Sequence, residues 1–105
     1  MDAWFTALVR GPSMVPTLRD GDTILVRRGS RIRPGDVVVA RFAGQPGLVV
    51  KRAVREVPGG WWVEGDNAAI ADDSRRYGPA VVEGRALLRW WPRVTWLRRG
   101  AQDTE

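Results

Sequence analysis

Short β-type runs, each ended by a Pro, Gly or Asp turn, set the folding options of this chain. The runs are Trp4–Arg10, Thr23–Arg28, Asp36–Ala43, Leu48–Val57, Trp61–Glu64 and Val81–Trp90, rich in Val, Leu, Ile and Trp. Between them lie Asp20-Gly21-Asp22, Arg33-Pro34-Gly35-Asp36, Gly44-Gln45-Pro46-Gly47 and Val57-Pro58-Gly59-Gly60. Turns of this kind join antiparallel strands. The spacing predicts an all-β fold, a compact sandwich or partly closed barrel of short antiparallel strands, with no large helical domain. One turn of helix fits after Ser13. Two polar connections interrupt the strand pattern: Gly11–Leu18, and Gly65-Asp66-Asn67 through Tyr77-Gly78. Such connections in a small domain often carry function.

Composition narrows the chemistry by what it omits. The 105 residues contain no His and no Cys. Disulfides, thiol nucleophiles, Cys or His zinc sites and His-based triads are excluded. A chain of this size is expected to be one domain, residues 1–105, with a core over about residues 8–92 and a tail at 93–105. At 44% hydrophobic and 28% charged residues it has a globular composition. No stretch reaches the roughly 18–20 apolar residues that span a bilayer, and no secretory signal is expected at the start. A soluble, cytoplasmic protein is expected. The net charge is +5, but the basic residues are scattered and form no basic tail, so no nucleic-acid partner is expected.

Of the 17 basic residues, Lys51 alone is a lysine. Arg stays protonated in proteins and cannot act as a base. A lone exception is expected where an amine must lose its proton. Lys51 ends Leu48-Val49-Val50-Lys51, so strand alternation puts it on a face with Val49 and Ala53. Arg52 then points to the opposite face, where it is expected to be solvated. Burial of Lys51 would lower its pKa toward the range of a general base. Ser13, between Gly11-Pro12 and Met14-Val15-Pro16, is the matching nucleophile, in a turn that can aim N–H groups at an oxyanion.

These residues resemble the signal peptidase I (S26) family of Ser/Lys proteases. Ser13-Met14-Val15-Pro16-Thr17-Leu18 resembles the family's nucleophile box, and Gly21-Asp22 follows at the usual distance. Arg33–Val39 resembles the next strand and Lys51-Arg52 the general-base box. Gly65-Asp66-Asn67, Asp73-Ser74-Arg75 and Tyr77-Gly78 resemble the last box, and Gly84-Arg85-Ala86 opens the closing strand. The resemblance implies that Ser13 attacks the scissile carbonyl and Lys51 takes its proton. It implies an oxyanion hole at the Ser13 N–H, with Gly11 where some members carry a second donor. It implies an Asp73–Arg75 ion pair bracing the site. Ala71 stands where the family often has a Ser bonded to the base, so another group must orient Lys51. Met14, Val15, Val81 and Val82 are expected to line substrate pockets, beside a peptide paired as an added strand.

Among short members, Gly11–Thr17, Val49–Ala53 and Gly59–Asn67 look most like the nickel-type superoxide dismutase maturation proteases. That likeness implies a precursor partner with a cleavable N-terminal leader, and no cofactor or metal of the enzyme's own. General signal-peptidase-type processing of exported proteins is the alternative. A self-cleaving regulator of the repressor type is disfavoured, with 12 residues before Ser13. A non-catalytic basic β-domain that binds nucleic acid or anionic membrane is the other rival; it requires exposed aromatics beside the arginines. Trp90, Trp91 and Trp96, among Arg89, Arg93, Arg98 and Arg99, are expected in a final strand and tail that pack the core. The alternative for this segment is peripheral membrane contact.

Overall fold

The computed structural model describes residues 3–100. The strands are β1 (Trp4–Leu8), β2 (Thr23–Arg27), β3 (Val37–Phe42), β4 (Val49–Val57), β5 (Gly60–Glu64), β6 (Ala80–Trp91) and β7 (Thr95–Trp96). The one helix among the described residues is a single turn, α1 (Ser74–Tyr77), capped by Asp73. All pairings are antiparallel. The sheet runs β1-β2-β6-β3-β4-β5, and β5 returns to pair β6 at Trp61 and Ala80. The all-β, partly closed architecture follows the spacing of the turns. Gly60 permits the closure, because a Cβ there would collide with the Ala80 carbonyl.

Two apolar clusters fill the fold, and β3 lies between them. Val37 and Val39 face one cluster, with Val9, Met14, Leu18, Ile24, Val26 and Ala86. Val38, Ala40 and Phe42 face the other, with Ala53, Val63 and Ala80. Strand alternation thus feeds both cores from one strand, as a near-continuous apolar run requires. The first cluster pins the connection between β1 and β2, since Met14 and Leu18 are anchored in it. That connection has one i→i+4 bond, Leu18 N–H to Met14 O at 2.9 Å, and otherwise forms turns.

The end of the chain departs from expectation. Trp90, Trp91 and Trp96 are 58%, 63% and 68% exposed and do not pack the core. Leu88 and Leu97 do so in their place. Of the expected tail, Thr95–Trp96 pairs with β6 and residues 97–100 lie across the start of β3. Residues 101–105 of that tail lie outside the described residues. Among the described residues no helix is long and apolar enough to cross a membrane.

Candidate active site

Ser13 leaves the turn after β1, and Lys51 stands on β4 opposite Val38 of β3. The fold brings these two side chains, 38 positions apart, into contact: Lys51 Nζ donates to Ser13 Oγ over 2.7 Å. Lys51 is only 4% exposed. Burial lowers its pKa below the ordinary 10.5, against the opposing pull of Asp73 and Asp72. The ammonium has no carboxylate within ion-pair distance among the described residues. Among those residues Ser13 Oγ is its one hydrogen-bond partner. When the amine is neutral the same contact reverses, and the Ser13 hydroxyl donates to Nζ.

Both groups line a cavity of about 660 Å³. One wall is Leu8 through Pro12 and the other Leu48 through Val50, with Ile70 and Tyr77 at one side. β1 pairs only with β2, so among the described strands its other edge is open.

The Gly65-Asp66-Asn67 stretch clamps the Ser13 turn. Gly65 lies so close that a Cβ would sit 2.5 Å from the Ser13 carbonyl oxygen, so only glycine fits. Asn67 N–H donates to that same oxygen at 2.9 Å, and Asn67 Nδ2 donates to Pro12 O at 3.1 Å. Asp66 accepts from Thr17 Oγ1 at 2.5 Å, reaching the far end of the turn. Asp73 accepts from Gly65 N–H at 2.8 Å and is gripped by Arg75 through Nε at 3.0 Å and Nη2 at 2.8 Å. Burial opposes ionisation of Asp73, yet the Arg75 guanidinium and the Gly65 and Arg75 N–H groups outweigh it and hold its pKa below the ordinary value. Asp73 and Arg75 therefore brace the clamp and do not touch Ser13.

Several expected residues lie elsewhere. Met14 is 1% exposed and belongs to the core, so it cannot contact a substrate. Val15 is half-buried and does not line the Ser13 cavity. Val81 and Val82 line a separate cavity with Trp61 and Gly84. Gly11 does line the Ser13 cavity, but its N–H is already donated to Asp20 Oδ1 at 2.7 Å. Arg52 is not solvated: it is 1% exposed, pairs with Asp66 through Nε at 3.1 Å and Nη2 at 2.5 Å, and donates from Nη1 to Gly35 O and Arg98 O. Gly65, Asp66, Asn67, Thr17 and Arg52 hold the turn through contacts that only the fold reveals, although their boxes are visible in the sequence.

A chain whose turn-borne serine meets a buried lysine in an open β-cleft has the frame of a serine-type peptidase. The Peptidase S24-like family model matches residues 2–85, and the chain belongs to that family, in the class of serine-type peptidases. It is 34% identical to the mitochondrial inner membrane protease subunit 1 of Xenopus tropicalis, over 78% of this chain and 66% of that protein. It is 36% identical to the mitochondrial ATP-independent inner membrane protease subunit 1a of Arabidopsis thaliana, over 83% and 70%. The corresponding subunit 1 of Schizosaccharomyces pombe is 29% identical, over 93% and 80%. The chain thus spans about two thirds of the length of the first two relatives. The relatives carry names of inner membrane proteases, and none of these names mentions a dismutase.

Proposed function

We propose that this chain is an endopeptidase that removes an N-terminal leader, with Ser13 as nucleophile and Lys51 as general base. The observation that carries the reading is the 2.7 Å contact between a buried, pKa-lowered amine and the serine hydroxyl. Neutral Lys51 takes the Ser13 proton as Oγ bonds to the scissile carbonyl carbon. The Ser13 N–H is the donor proposed for the resulting oxyanion. The tetrahedral species collapses as Lys51 returns the proton to the leaving amine, which frees the mature N-terminus. Lys51 then takes a proton from a water that adds to the acyl carbonyl, and returns it to Ser13 Oγ as the acyl–oxygen bond breaks and the leader is released. The open edge of β1 and the cleft beside it suit an extended peptide docked as an added strand.

The proposed substrate is the precursor of a nickel-type superoxide dismutase, on the likeness of the segments around Gly11–Thr17, Val49–Ala53 and Gly59–Asn67. General leader processing is the alternative that the relatives' names favour. Co-expression with that precursor, followed by the mass of its N-terminus, tests both levels. Trimming by the native chain and none by Ser13→Ala is the expected result. An intact precursor alongside cleavage of other leader peptides would remove the dismutase and keep the mechanism. Trimming by Ser13→Ala would remove the mechanism.

A further inference from the structure

Five arginines line one cavity on the far side of β1 from the peptidase cleft. Arg27, Arg31, Arg33, Arg85 and Arg99 surround about 470 Å³, with Trp4 and Leu87 as the apolar part of the wall. The volume is in the range of small-molecule sites, roughly 300–1,000 Å³. The lining shares no residue with the Ser13 cavity. Trp4 and Leu8 mark the two ends of β1, about 13 Å apart at some 3.3 Å per residue.

The charge here is out of proportion to the rest of the molecule. Five arginines line the cavity, and among the described residues Asp36 is the one carboxylate that pairs with any of them, while the whole chain carries a net +5. Asp36 is 2% exposed and lies beneath the cavity. It engages Arg99 through Nε at 2.7 Å and approaches Arg85 Nε at 3.7 Å. The carboxylate fixes the Nε side of Arg99 by a hydrogen bond and stands at ion-pair distance, beyond hydrogen-bond range, from the Nε of Arg85. Among the described residues no hydrogen bond uses Nη1 or Nη2 of Arg85 or Arg99, and Asp36 is the one carboxylate paired with either. The side chains of Arg31 and Arg33 have no hydrogen-bond or ion-pair partner there either, and Arg27 is committed only to the face of Trp4, at 5.2 Å. Glu83, also on β6, is occupied by Arg28 and Arg41. Arginines crowded together without acids repel one another, whereas an oxyanion with several lone pairs satisfies many N–H groups at once.

We infer that this cradle is a binding site for a phosphate-bearing anion, held by forked hydrogen bonds from Arg31, Arg33, Arg85 and Arg99. The phosphate belongs either to a free species or to the headgroup of an anionic lipid. The inference is independent of the peptidase reading.

Calorimetric titration of the full chain with inorganic pyrophosphate tests the site. Arg31→Gln/Arg33→Gln is the variant, because neither side chain contacts Asp36. Arg19→Gln, exposed and outside the cradle, is the control. Loss of two charge-assisted contacts should weaken binding at least about tenfold in the variant and leave the control unchanged. The second arm is sedimentation with phosphatidylcholine vesicles, with and without phosphatidylglycerol. Variant-sensitive pyrophosphate binding without vesicle binding assigns the site to a free phosphate. Variant-sensitive sedimentation only with phosphatidylglycerol assigns it to the headgroup. No binding in either arm, or equal weakening in variant and control, overturns the site.

Discussion

Lys51 and Arg52 are adjacent on β4, both nearly fully buried, and their surroundings treat charge in opposite ways. Arg52 enters the protein with compensation: a two-point pair with Asp66 and two carbonyl acceptors. Lys51 enters with one hydroxyl. Burial of a cation is costly unless it is paired, and a lysine answers an unpaired burial by releasing its proton. The strand therefore places a fixed positive charge on one face and a titratable amine on the other. The fixed charge anchors Asp66, which holds the Ser13 turn through Thr17. On the proposed mechanism, neighbouring residues divide positioning from proton transfer.

The largest effect that would test this division comes from Lys51→Arg. It keeps the charge and removes the proposed base, so kcat/KM should fall by about 10³-fold or more. On the proposed mechanism the neutral amine is the active form. Activity should rise with pH through the lowered Lys51 pKa and level off below the ordinary 10.5. The same shift has a stability sign. With the folded pKa below the unfolded one, the buried ammonium destabilises the fold in full at low pH, and the penalty fades as pH rises toward 10.5. Lys51→Met should accordingly melt higher than the native chain at neutral pH, with the gap narrowing in alkali. Persistent turnover by Lys51→Arg would break the comparison outright.

Arg52→Met is the reciprocal test. It strands the buried Asp66 carboxylate and should cost about 3–5 kcal/mol in urea unfolding. A variant as stable as the native chain would mean that Arg52 is no more than a passenger. Gly65→Ala comes next. Its Cβ must displace the Ser13 carbonyl, and a shift of this size at the nucleophile should lower kcat about 100-fold with a smaller change in KM. Native kcat in Gly65→Ala would show that the turn can move without harm.

What could be read from the sequence, and what could not, follows the same divide. The strands were legible because Pro-Gly and Asp-Gly turns punctuate them. Lys51 stands out in the sequence because a single lysine among arginines is a chemical exception, and the fold brings its amine against Ser13. Arg52 was misread because strand alternation assumes one wet face. Here residues 97–100 return from the end of the chain to cover the second face, and Arg98 O meets Arg52 there. The exposure of Trp90, Trp91 and Trp96 was missed because composition records how apolar a segment is and not which of its residues find the core. Met14 lines no substrate pocket because the connection that holds Ser13 needs apolar anchors and Met14 is one. The clamp by Gly65 was illegible since its meaning is a distance to Ser13, across 52 positions of chain.

The finest test asks whether the two faces of β4 are independent. Thr17→Val removes one of the bonds to Asp66 and leaves the Arg52 pair in place. Loss of a single hydrogen bond to a charged group should cost about 1–2 kcal/mol of stability. The Ser13 turn would loosen at its far end, and kcat should drop several-fold, by about 1 kcal/mol of barrier. The rising limb of the pH profile should stay where it is. Thr17 and Asp66 are not among the charges and burial that set the Lys51 pKa, which are Asp73, Asp72 and Arg75. A displaced limb would mean that the anchoring face tunes the amine as well, and the division of labour between Lys51 and Arg52 would have to be given up.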